Sequence, residues 1–316
     1  MSSTLTVGID IGGTKLLGGV VDEHGSVLAL TRRETAPDDP AKSLALIVEV
    51  IEELVGKHEV DAVGVGAAGW IDDTRSRVLF APNLAWRDEP LRDEIAERVH
   101  LPVVVENDAN AAAWAEFRYG AAREVRESAV LITVGTGIGS GIVLNGEIVR
   151  GAHGIAAEVG HVRVVPHGHP CGCGRFGCLE QYASGTALVR FARELATHDP
   201  GDATHLLDLA GGSPDAITGP LVTRAALDGD PVSRAAFAQV GQWLGSGLAD
   251  LVQILDPEVL VVGGGVIEAG ELLMAPTRMA LAEAFGARGT LPVAAVVPAR
   301  LGNVAGVVGA ADLARR

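Results

Sequence analysis

The sequence predicts a duplicated α/β fold, with two related halves facing each other. A Val-rich strand, a glycine loop, a second strand, a turn and a third strand follow one another twice, about 125 residues apart. The 316 residues include 41 glycines and 48% hydrophobic residues, but only 4% are aromatic. The core must therefore consist mainly of Ala, Val, Leu and Ile, and the many glycines favour tight turns over a helical bundle.

The first half begins with three short apolar strands. A helix is predicted over Pro40–Lys57, because Leu44, Ile47, Ile51 and Leu54 recur at helical spacing. Two further strands and an Ala-rich helix follow. The predicted bounds of these other elements are strands Leu5–Asp10, Leu16–Val21, Val27–Thr31, Val60–Val65 and Val103–Val105 and helix Asn110–Arg118.

The pattern restarts at Ala129 and ends in a mainly helical third of the chain. Asp230 and Pro231 predict the start of a helix that runs to Leu255, since Asp is a favoured N-cap and proline suits the first turn. Stretches rich in Pro, Gly and Asp near 198–220 predict surface loops. The other predicted elements are strands Ala129–Val134, Ser140–Leu144, Glu147–Arg150 and Val259–Val262, a hairpin turn at Asn145-Gly146, and helices at about 269–285 and 304–315.

Charge and hydropathy favour a soluble cytoplasmic protein that binds neither nucleic acid nor membrane. The formal net charge is −15, which repels phosphate backbones and anionic lipid. Residues 128–146 carry no charge and are nearly long enough to cross a bilayer, but the glycines among them indicate strand, loop and strand. The first residues show no basic segment followed by an apolar one, so we expect no signal peptide.

Three glycine loops are candidates for nucleotide binding. The first is Asp10-Ile11-Gly12-Gly13-Thr14-Lys15, whose backbone N–H groups can close on a phosphate while Asp10 orients Mg²⁺ through water. The second, Gly135–Gly141, does not fit the G-x-G-x-x-G pattern, which disfavours a dinucleotide fold. The third, Gly263–Gly265, would let an adenosine lie against bare backbone. Taken alone, the first loop fits a plain hairpin turn slightly better, and the other two also admit a plain glycine turn. Three such loops, each directly after a Val-rich strand, indicate phosphate binding.

The run Glu106-Asn107-Asp108 stands between a predicted strand and a predicted helix. One interpretation makes Asp108 a general base that accepts the proton of an attacking hydroxyl, with the helix dipole keeping it ionised. The other makes it a helix cap, because Asp and Asn are preferred N-caps. From spacing alone, capping is the better interpretation.

All three cysteines lie within eight residues, in the motif C-x-C-x4-C formed by Cys171, Cys173 and Cys178. Thiolates so close together and separated by glycines are typical of a tetrahedral zinc site, whereas an odd number of cysteines is a poor disulfide framework. A histidine is the natural fourth ligand, and spacing does not choose among His161, His167 and His169. Four protein ligands would make the zinc structural and not catalytic.

Taken together, these motifs resemble the ROK family (repressors, open reading frames and kinases), and within it the bacterial ATP-dependent glucokinases. The most specific part is Glu158-Val159-Gly160-His161 followed by the run from Cys171 to Glu180, C-x-C-G-x-x-G-C-x-E. The order of the glycine loops and the Asn107-Asp108 pair between them also match, so the resemblance spans nearly the whole chain. The resemblance implies an actin-like ATPase (ribonuclease H-like) fold with two α/β domains around a cleft. The smaller domain would comprise 1–108 plus about 303–316, and the larger, with the zinc knuckle, 109–302.

The resemblance also implies roles for individual residues. Asp108 becomes the catalytic base that primes the 6-hydroxyl of glucose for attack on ATP, and His161 becomes the fourth zinc ligand beside the three cysteines. The implied sugar contacts are Gly69, Asn83, Asn107, Asp108, Glu158, His161 and Glu180. The implied contacts to ATP and Mg²⁺ are Asp10, Gly12, Gly13, Thr14, Lys15, Thr136, Gly137, Gly264 and Gly265.

The resemblance leaves several alternatives open. Another hexose, such as fructose or mannose, or N-acetylmannosamine could be the acceptor, and polyphosphate could be the donor. ROK repressors carry a DNA-binding helix-turn-helix before the shared core. A sugar-sensing repressor is disfavoured here, because only about three residues precede the first predicted strand and the net charge is −15. Relatives are commonly dimers or tetramers, which makes a homo-oligomer the expectation by analogy. Ala68 stands where many relatives have proline, which affects only the rigidity expected of that loop.

Overall fold

A computed structural model describes residues 4–286 and 293–316, and the chain divides into two compact units. The first unit draws on Met1–Leu131, Ser140–Glu158 and Ala299–Arg316, and the second on Ile132–Gly139 and Val159–Pro298. The predicted domain ranges, 1–108 plus about 303–316 and 109–302, extend over residues 1–3 and 287–292, which lie outside the described residues. Their boundaries stay a prediction.

Two five-stranded sheets share one strand order, which confirms the predicted duplication. The orders are β3-β2-β1-β4-β8 and β11-β10-β9-β12-β13. In both sheets the first strand along the chain is central, the second and third lie on one side of it, and the fourth and fifth lie on the other. In the first sheet β2 is antiparallel to β1 and β3, whereas β4 is parallel to β1 and β8. The strands are β1 Thr6–Ile11, β2 Lys15–Val21, β3 Val27–Glu34, β4 Ala62–Ala67, β8 Val103–Asn107, β9 Ala129–Val134, β10 Ile138–Leu144, β11 Glu147–Ile148, β12 Val259–Gly263 and β13 Ala295–Pro298. This duplicated topology is that of the actin-like ATPase fold.

The helices of the first unit are α1 (Pro40–Val55), α2 (Leu91–Val99), α3 (Asp108–Arg118) and α10 (Ala305–Leu313). Asp39 caps α1 by accepting the N–H of Lys42, and the apolar stripe predicted from its spacing is buried.

Helix α10 lies directly on the backbone of the first sheet. A Cβ added to Gly64 would overlap the carbonyl oxygen of Ala310, and one added to Gly8 would overlap that of Val307. Only glycine permits so close an approach of helix to strand, which explains two of the glycines inside predicted strands.

The helices of the second unit are α4 (Glu180–Ala183), α5 (Gly185–His198), α6 (Thr204–Leu209), α7 (Gly219–Leu227), α8 (Pro231–Leu255) and α9 (Glu271–Phe285). Asp230 caps α8 as predicted, accepting the N–H of Ser233 at 2.7 Å. The prediction of surface loops near 198–220 is wrong in part, because α6 and the start of α7 fall there. Helix α9 begins after the predicted 269, since Gly270 has a φ of 59° that ends the preceding 3-10 turn.

A small third sheet was not predicted. Its strands β5 (Trp70–Ile71), β6 (Val78–Phe80) and β7 (Arg87–Glu89) pair in the order β5-β6-β7. Strands of two or three residues are too short to show a period-2 pattern, so the sequence carries no signal for them.

The uncharged stretch 128–146 forms β9, a glycine loop, β10 and a hairpin turn, as predicted. Through residues 4–286 and 293–316, every helix is too short or too polar to span a bilayer.

Candidate active site

The first glycine loop joins β1 to β2 in the first unit. The N–H of Gly12 donates to the carbonyl oxygen of Lys15 at 3.0 Å, which closes the turn. A Cβ added to Gly12 would meet no atom within 4 Å, so this position faces open space among the described residues. A Cβ added to Gly13 would lie 2.8 Å from the carbonyl oxygen of Asn83. The structure thus brings Asn83, predicted to contact sugar, against the loop predicted to contact phosphate, while Thr14 stays exposed.

Two carboxylates of the first unit, Asp10 and Asp108, have perturbed acidities. Burial, together with the negative charge of Asp108, raises the pKa of Asp10 to about 7, against the opposing charge of Lys15. Burial also raises the pKa of Asp108, against hydrogen bonds from the N–H of Ala109 and from its own N–H. Both residues keep some solvent access, so the dense protein atoms around each carboxylate, and not complete enclosure, disfavour the charged form.

Asn107, and not Asp108, caps helix α3. Its side-chain oxygen accepts the N–H of Asn110 at 2.9 Å, and its φ and ψ are extended. Its side-chain nitrogen donates to Oδ1 of Asp108 at 3.2 Å and to the carbonyl oxygen of Gly69 at 3.0 Å. The interpretation of Asp108 as the helix cap is therefore wrong, because the preceding residue already performs that function. Gly69, Asn107 and Asp108, all predicted sugar contacts, lie together.

Glu158 lies at the end of the middle segment of the first unit, Ser140–Glu158, after a strained residue. Ala157 has a φ of 68°, a left-handed conformation that is uncommon for a residue with a Cβ, and its carbonyl oxygen accepts the hydroxyl of Ser140. Backbone held in such a conformation is frequent beside functional side chains.

Two hydrogen bonds from the start of α5 fix the second glycine loop. The N–H of Gly185 donates to the carbonyl oxygen of Gly135 at 2.8 Å, and the hydroxyl of Thr186 donates to that of Thr136 at 2.7 Å. Thr136 itself is exposed. These bonds fix the loop while leaving its outer face accessible.

The third glycine loop follows β12 in the same unit. Gly264 has a φ of 85°, and a Cβ there would overlap the backbone of Val134 on the neighbouring strand, so no other residue fits. A Cβ added to Gly265 would have no atom of the described residues within 4 Å.

Glu180 connects the second glycine loop to the cysteine motif. Its Oε2 accepts the N–H of Ile138 at 3.2 Å, and its Oε1 lies 3.3 Å from Sγ of Cys171. A Cβ on Gly137 would overlap Oε2. Glu180, predicted only as a sugar contact, therefore also shapes the loop predicted to hold ATP.

His161 and the three cysteines converge in the second unit. Their ligand atoms all lie within 4.8 Å of one another. Nδ1 of His161 is 3.6 Å from Sγ of Cys171, and the sulfurs of Cys173 and Cys178 are 3.7 Å apart. Around a tetrahedral zinc with bonds of about 2.3 Å to sulfur and about 2.0 Å to nitrogen, those separations would be roughly 3.5 and 3.8 Å. The donor set and its spacing therefore fit zinc, and His167 and His169 do not join the cluster.

Glycines form the tight turns of the cysteine motif. The N–H of Cys171 donates to the carbonyl oxygen of Arg175 at 2.8 Å, and Gly174 adopts a φ of 83° inside that turn. Gly177, with a φ of 74°, is packed so closely that a Cβ would overlap the carbonyl oxygen of Val165.

Sequence reasoning missed two arginines of the first unit, Arg75 and Arg150, which lie against the buried carboxylate of Glu106. Arg150 and Glu106 are 44 positions apart in the sequence, so no local pattern indicates that they pair. The one available signal was an acidic residue at the end of an otherwise apolar strand.

Comparisons with known proteins are consistent with this geometry. A model of the ROK family matches residues 6–316. The glucokinase of Streptomyces coelicolor is 48% identical over 311 residues, 98% of this chain and 98% of that protein. The crystal structure of a ROK family glucokinase from Streptomyces griseus in complex with glucose and AMPPNP has a TM-score of 0.89 and 49% identity, covering 98% of this chain and 99% of that one. The ROK hexokinase of Thermus thermophilus has a TM-score of 0.79 and 34% identity, covering 99% and 98%.

Proposed function

This chain belongs to the ROK family, and we propose that it phosphorylates glucose at the 6-hydroxyl with ATP as the phosphoryl donor. The observation that carries the proposal is its likeness, along almost the whole chain, to a glucokinase solved with glucose and AMPPNP. The side chains of the first unit support it, because Asp108 is left free of helix capping and lies beside Asn107 and Gly69.

In the proposed reaction, Asp108 acts as the general base. The oxygen of the 6-hydroxyl attacks the γ-phosphorus of ATP in line, and its proton passes to the Asp108 carboxylate. The bond from the γ-phosphorus to the bridging oxygen breaks, and ADP leaves with that electron pair. A raised pKa makes Asp108 a stronger base than an ordinary aspartate, which favours proton abstraction from a weakly acidic alcohol.

Asn107 is proposed to orient both the base and the sugar. Because its oxygen is engaged by the helix and its nitrogen by Asp108 and Gly69, the side chain cannot rotate freely. A carboxylate held in one orientation loses little entropy on the way to the transition state. The remaining proposed sugar contacts are Asn83 and Glu158 in the first unit and His161 and Glu180 in the second.

Backbone N–H groups are proposed to contact the nucleotide. In the first unit these belong to Gly12, Gly13 and Thr14, with Lys15 and Asp10 alongside, and in the second to Thr136, Gly137, Gly264 and Gly265. Mg²⁺, bound with ATP near Asp10, would supply positive charge to the phosphates. Asp10 fits that role because it is a carboxylate in dense surroundings whose charged form is only partly compensated, by the positive charge of Lys15.

The cysteine cluster is proposed to hold a structural zinc through His161, Cys171, Cys173 and Cys178. With Nδ1 turned toward the sulfurs, Nε2 of His161 remains available for a sugar hydroxyl. Zinc would neutralise the thiolates and fix the orientation of that ring.

A cytoplasmic location and a homo-oligomeric state are further parts of the proposal. Three cysteines spaced for a metal and not for disulfides favour a reducing compartment. The oligomer is an analogy to relatives, and sedimentation of the purified protein tests it.

The proposal is tested by a coupled assay of the purified chain with ATP and Mg²⁺ over a panel of glucose, mannose, fructose and N-acetylmannosamine. Glucose should give the highest kcat/KM, and polyphosphate should not replace ATP. A chain that turns over none of these hexoses would refute the proposed function.

A further inference from the structure

Glu106 is a buried carboxylate that the proposed reaction does not use. It lies at the end of β8, and its side chain is 3% exposed. Its Oε1 accepts the N–H of Asn107 and the side-chain amide of Asn110, both at 3.1 Å. One oxygen of Glu106 therefore holds the turn from β8 into α3, where Asn107 and Asp108 lie.

The other oxygen of Glu106 holds a separate segment through Arg150. Nε and Nη2 of Arg150 donate to Oε2 at 2.8 and 2.7 Å. Arg150 begins the loop that runs to Glu158, and its carbonyl oxygen accepts the N–H of Ala156 at 3.0 Å, which folds that loop back on itself. The position of Arg150 thus sets the position of the segment that ends at Glu158.

A third segment reaches Glu106 through Arg75. Nε of Arg75 lies 3.5 Å from Oε2, and the carbonyl oxygen of Arg75 accepts the N–H of Val105 at 3.1 Å. Arg75 has a φ of 57°, a strained conformation within the loop that follows Gly69 and β5. Asp72 fixes this loop by accepting the N–H groups of Ser76 and Arg77, each at 2.7 Å.

The loop from Arg150 also packs against the loop that carries Arg75. Gly154 has a φ of 78°, and a Cβ there would overlap the carbonyl oxygen of Ile71. The two loops are therefore in contact with each other as well as with the same carboxylate.

Charge explains why this position needs an ionised carboxylate. The side chains of Arg75 and Arg150 are only 20% and 24% exposed. Burial, together with the positive charge of Arg150, lowers the pKa of Arg75 against the opposing charge of Glu106. Without the negative charge of Glu106, two partly buried cations would repel each other across the site. The two loops would then move apart.

We propose that Glu106 is a positioning residue that aligns three of the sugar-binding segments of the first unit. These segments carry Gly69, the pair Asn107-Asp108, and Glu158. The inference rests on the proposed function, since those residues are its sugar contacts. Loss of the Glu106 charge should therefore weaken glucose binding and slow turnover while leaving the KM for ATP near the wild-type value.

The chain offers a matched control in Glu116, a glutamate of α3 that is 1% exposed. It accepts the N–H groups of Ala121, Arg300 and Leu301 at 2.7 to 2.9 Å, and none of these three partners is a proposed sugar contact. Glu116→Gln also removes a buried carboxylate charge from the first unit, in the helix that follows the strand of Glu106, so it controls for the loss of a buried charge without the proposed positioning effect.

The test measures hydrogen exchange in the sugar-free full-length protein and glucose binding by calorimetry. Glu106→Gln should speed exchange in both 69–77 and 150–158 and raise the glucose Kd by a factor of roughly 10 to 100, the range for a buried polar group left without its partner. Glu116→Gln should speed exchange only near 121 and 299–301. Equal exchange profiles for the two variants, or an unchanged 150–158 segment in Glu106→Gln, would overturn the inference.

Arg150 supplies the second variant if Glu106→Gln does not fold. Arg150→Met should reproduce the exchange in 150–158 and the weaker glucose binding, Arg150→Lys should recover part of both, and Arg75→Met should have the smaller effect because Arg75 makes no hydrogen bond to Glu106. Arg150→Met with wild-type exchange would count against the inference. Failure of the wild-type protein to bind glucose would instead refute the proposed function, while the exchange data would still decide whether Glu106 joins the three segments.

Discussion

The side-chain nitrogen of Asn107 lies 3.2 Å from Oδ1 of Asp108, while the oxygen of the same amide caps helix α3. Either side chain could cap a helix, and here Asn107 is the one that does so. Because Asn107 caps the helix, the Asp108 carboxylate is not needed for capping and is available for the proposed role as general base.

Replacing Asp108 with Asn should remove the proposed general base and keep the shape of the site. We expect kcat to fall by about 10²–10⁴ with the glucose Kd close to wild type, because an amide cannot accept the hydroxyl proton. Steady-state kinetics and calorimetry on the same preparation measure both quantities. Asp73→Asn serves as an exposed control on the same unit. Near-normal turnover by Asp108→Asn would exclude Asp108 as the base.

The pH dependence of stability should report the raised pKa of Asp10. Its value of about 7 exceeds the ordinary 3.8, so between about pH 4 and 7 the folded protein binds a proton that the unfolded chain does not. The free energy of unfolding should therefore fall as pH rises through that window, by at most about 4 kcal/mol from this residue. Asp108, whose pKa is also raised, adds to the fall in the same direction.

Urea denaturation of the nucleotide-free protein at several pH values measures this effect. Asp10→Asn should flatten the profile and be more stable than wild type near pH 8. An Asp10→Asn profile parallel to that of the wild type would show that Asp10 has an ordinary acidity.

Metal content should depend on the cluster residues and not on the neighbouring histidines. Cys178→Ser should abolish the one zinc per chain expected in the purified protein, because the fully buried Cys178 supplies a ligand that serine replaces poorly. A strong chelator should lower Tm by several degrees or more, since each kcal/mol lost shifts Tm by roughly 2–4 °C in a domain of this size. His169→Gln, at an exposed histidine outside the cluster, should retain the metal. Elemental analysis showing zinc in Cys178→Ser, or none in the wild type, would contradict the assignment.

Alanine at individual glycines should separate folding from nucleotide binding. Gly12→Ala and Gly265→Ala introduce a methyl group into open space, so the free energy of unfolding should change by no more than about 0.5 kcal/mol. If ATP lies against these positions, the KM for ATP should rise while that for glucose stays unchanged. Gly264→Ala should instead lower stability, because its φ of 85° and the nearby backbone of Val134 both disfavour a side chain. Unchanged ATP kinetics in both Gly12→Ala and Gly265→Ala would place the nucleotide elsewhere.

The sequence by itself determined the features that depend on neighbours along the chain. The cap at Asp230, the apolar stripe of α1 and the compact cysteine motif are local, because hydrogen bonds and ligand spacing within a few residues follow directly from residue type and order. The duplication could also be predicted from the sequence, because each half repeats strand, glycine loop and strand in the same order.

The tertiary structure decided which residues meet across long distances in the chain. Glu106 meets Arg150 across 44 residues, and Glu180 meets Ile138 across 42, so strand order and loop packing, not local pattern, bring them together. The choice between Asn107 and Asp108 as cap also needed the backbone angles, because both side chains suit the position chemically. Contacts of this kind arise from the packing of whole elements, and no window of adjacent residues contains the information.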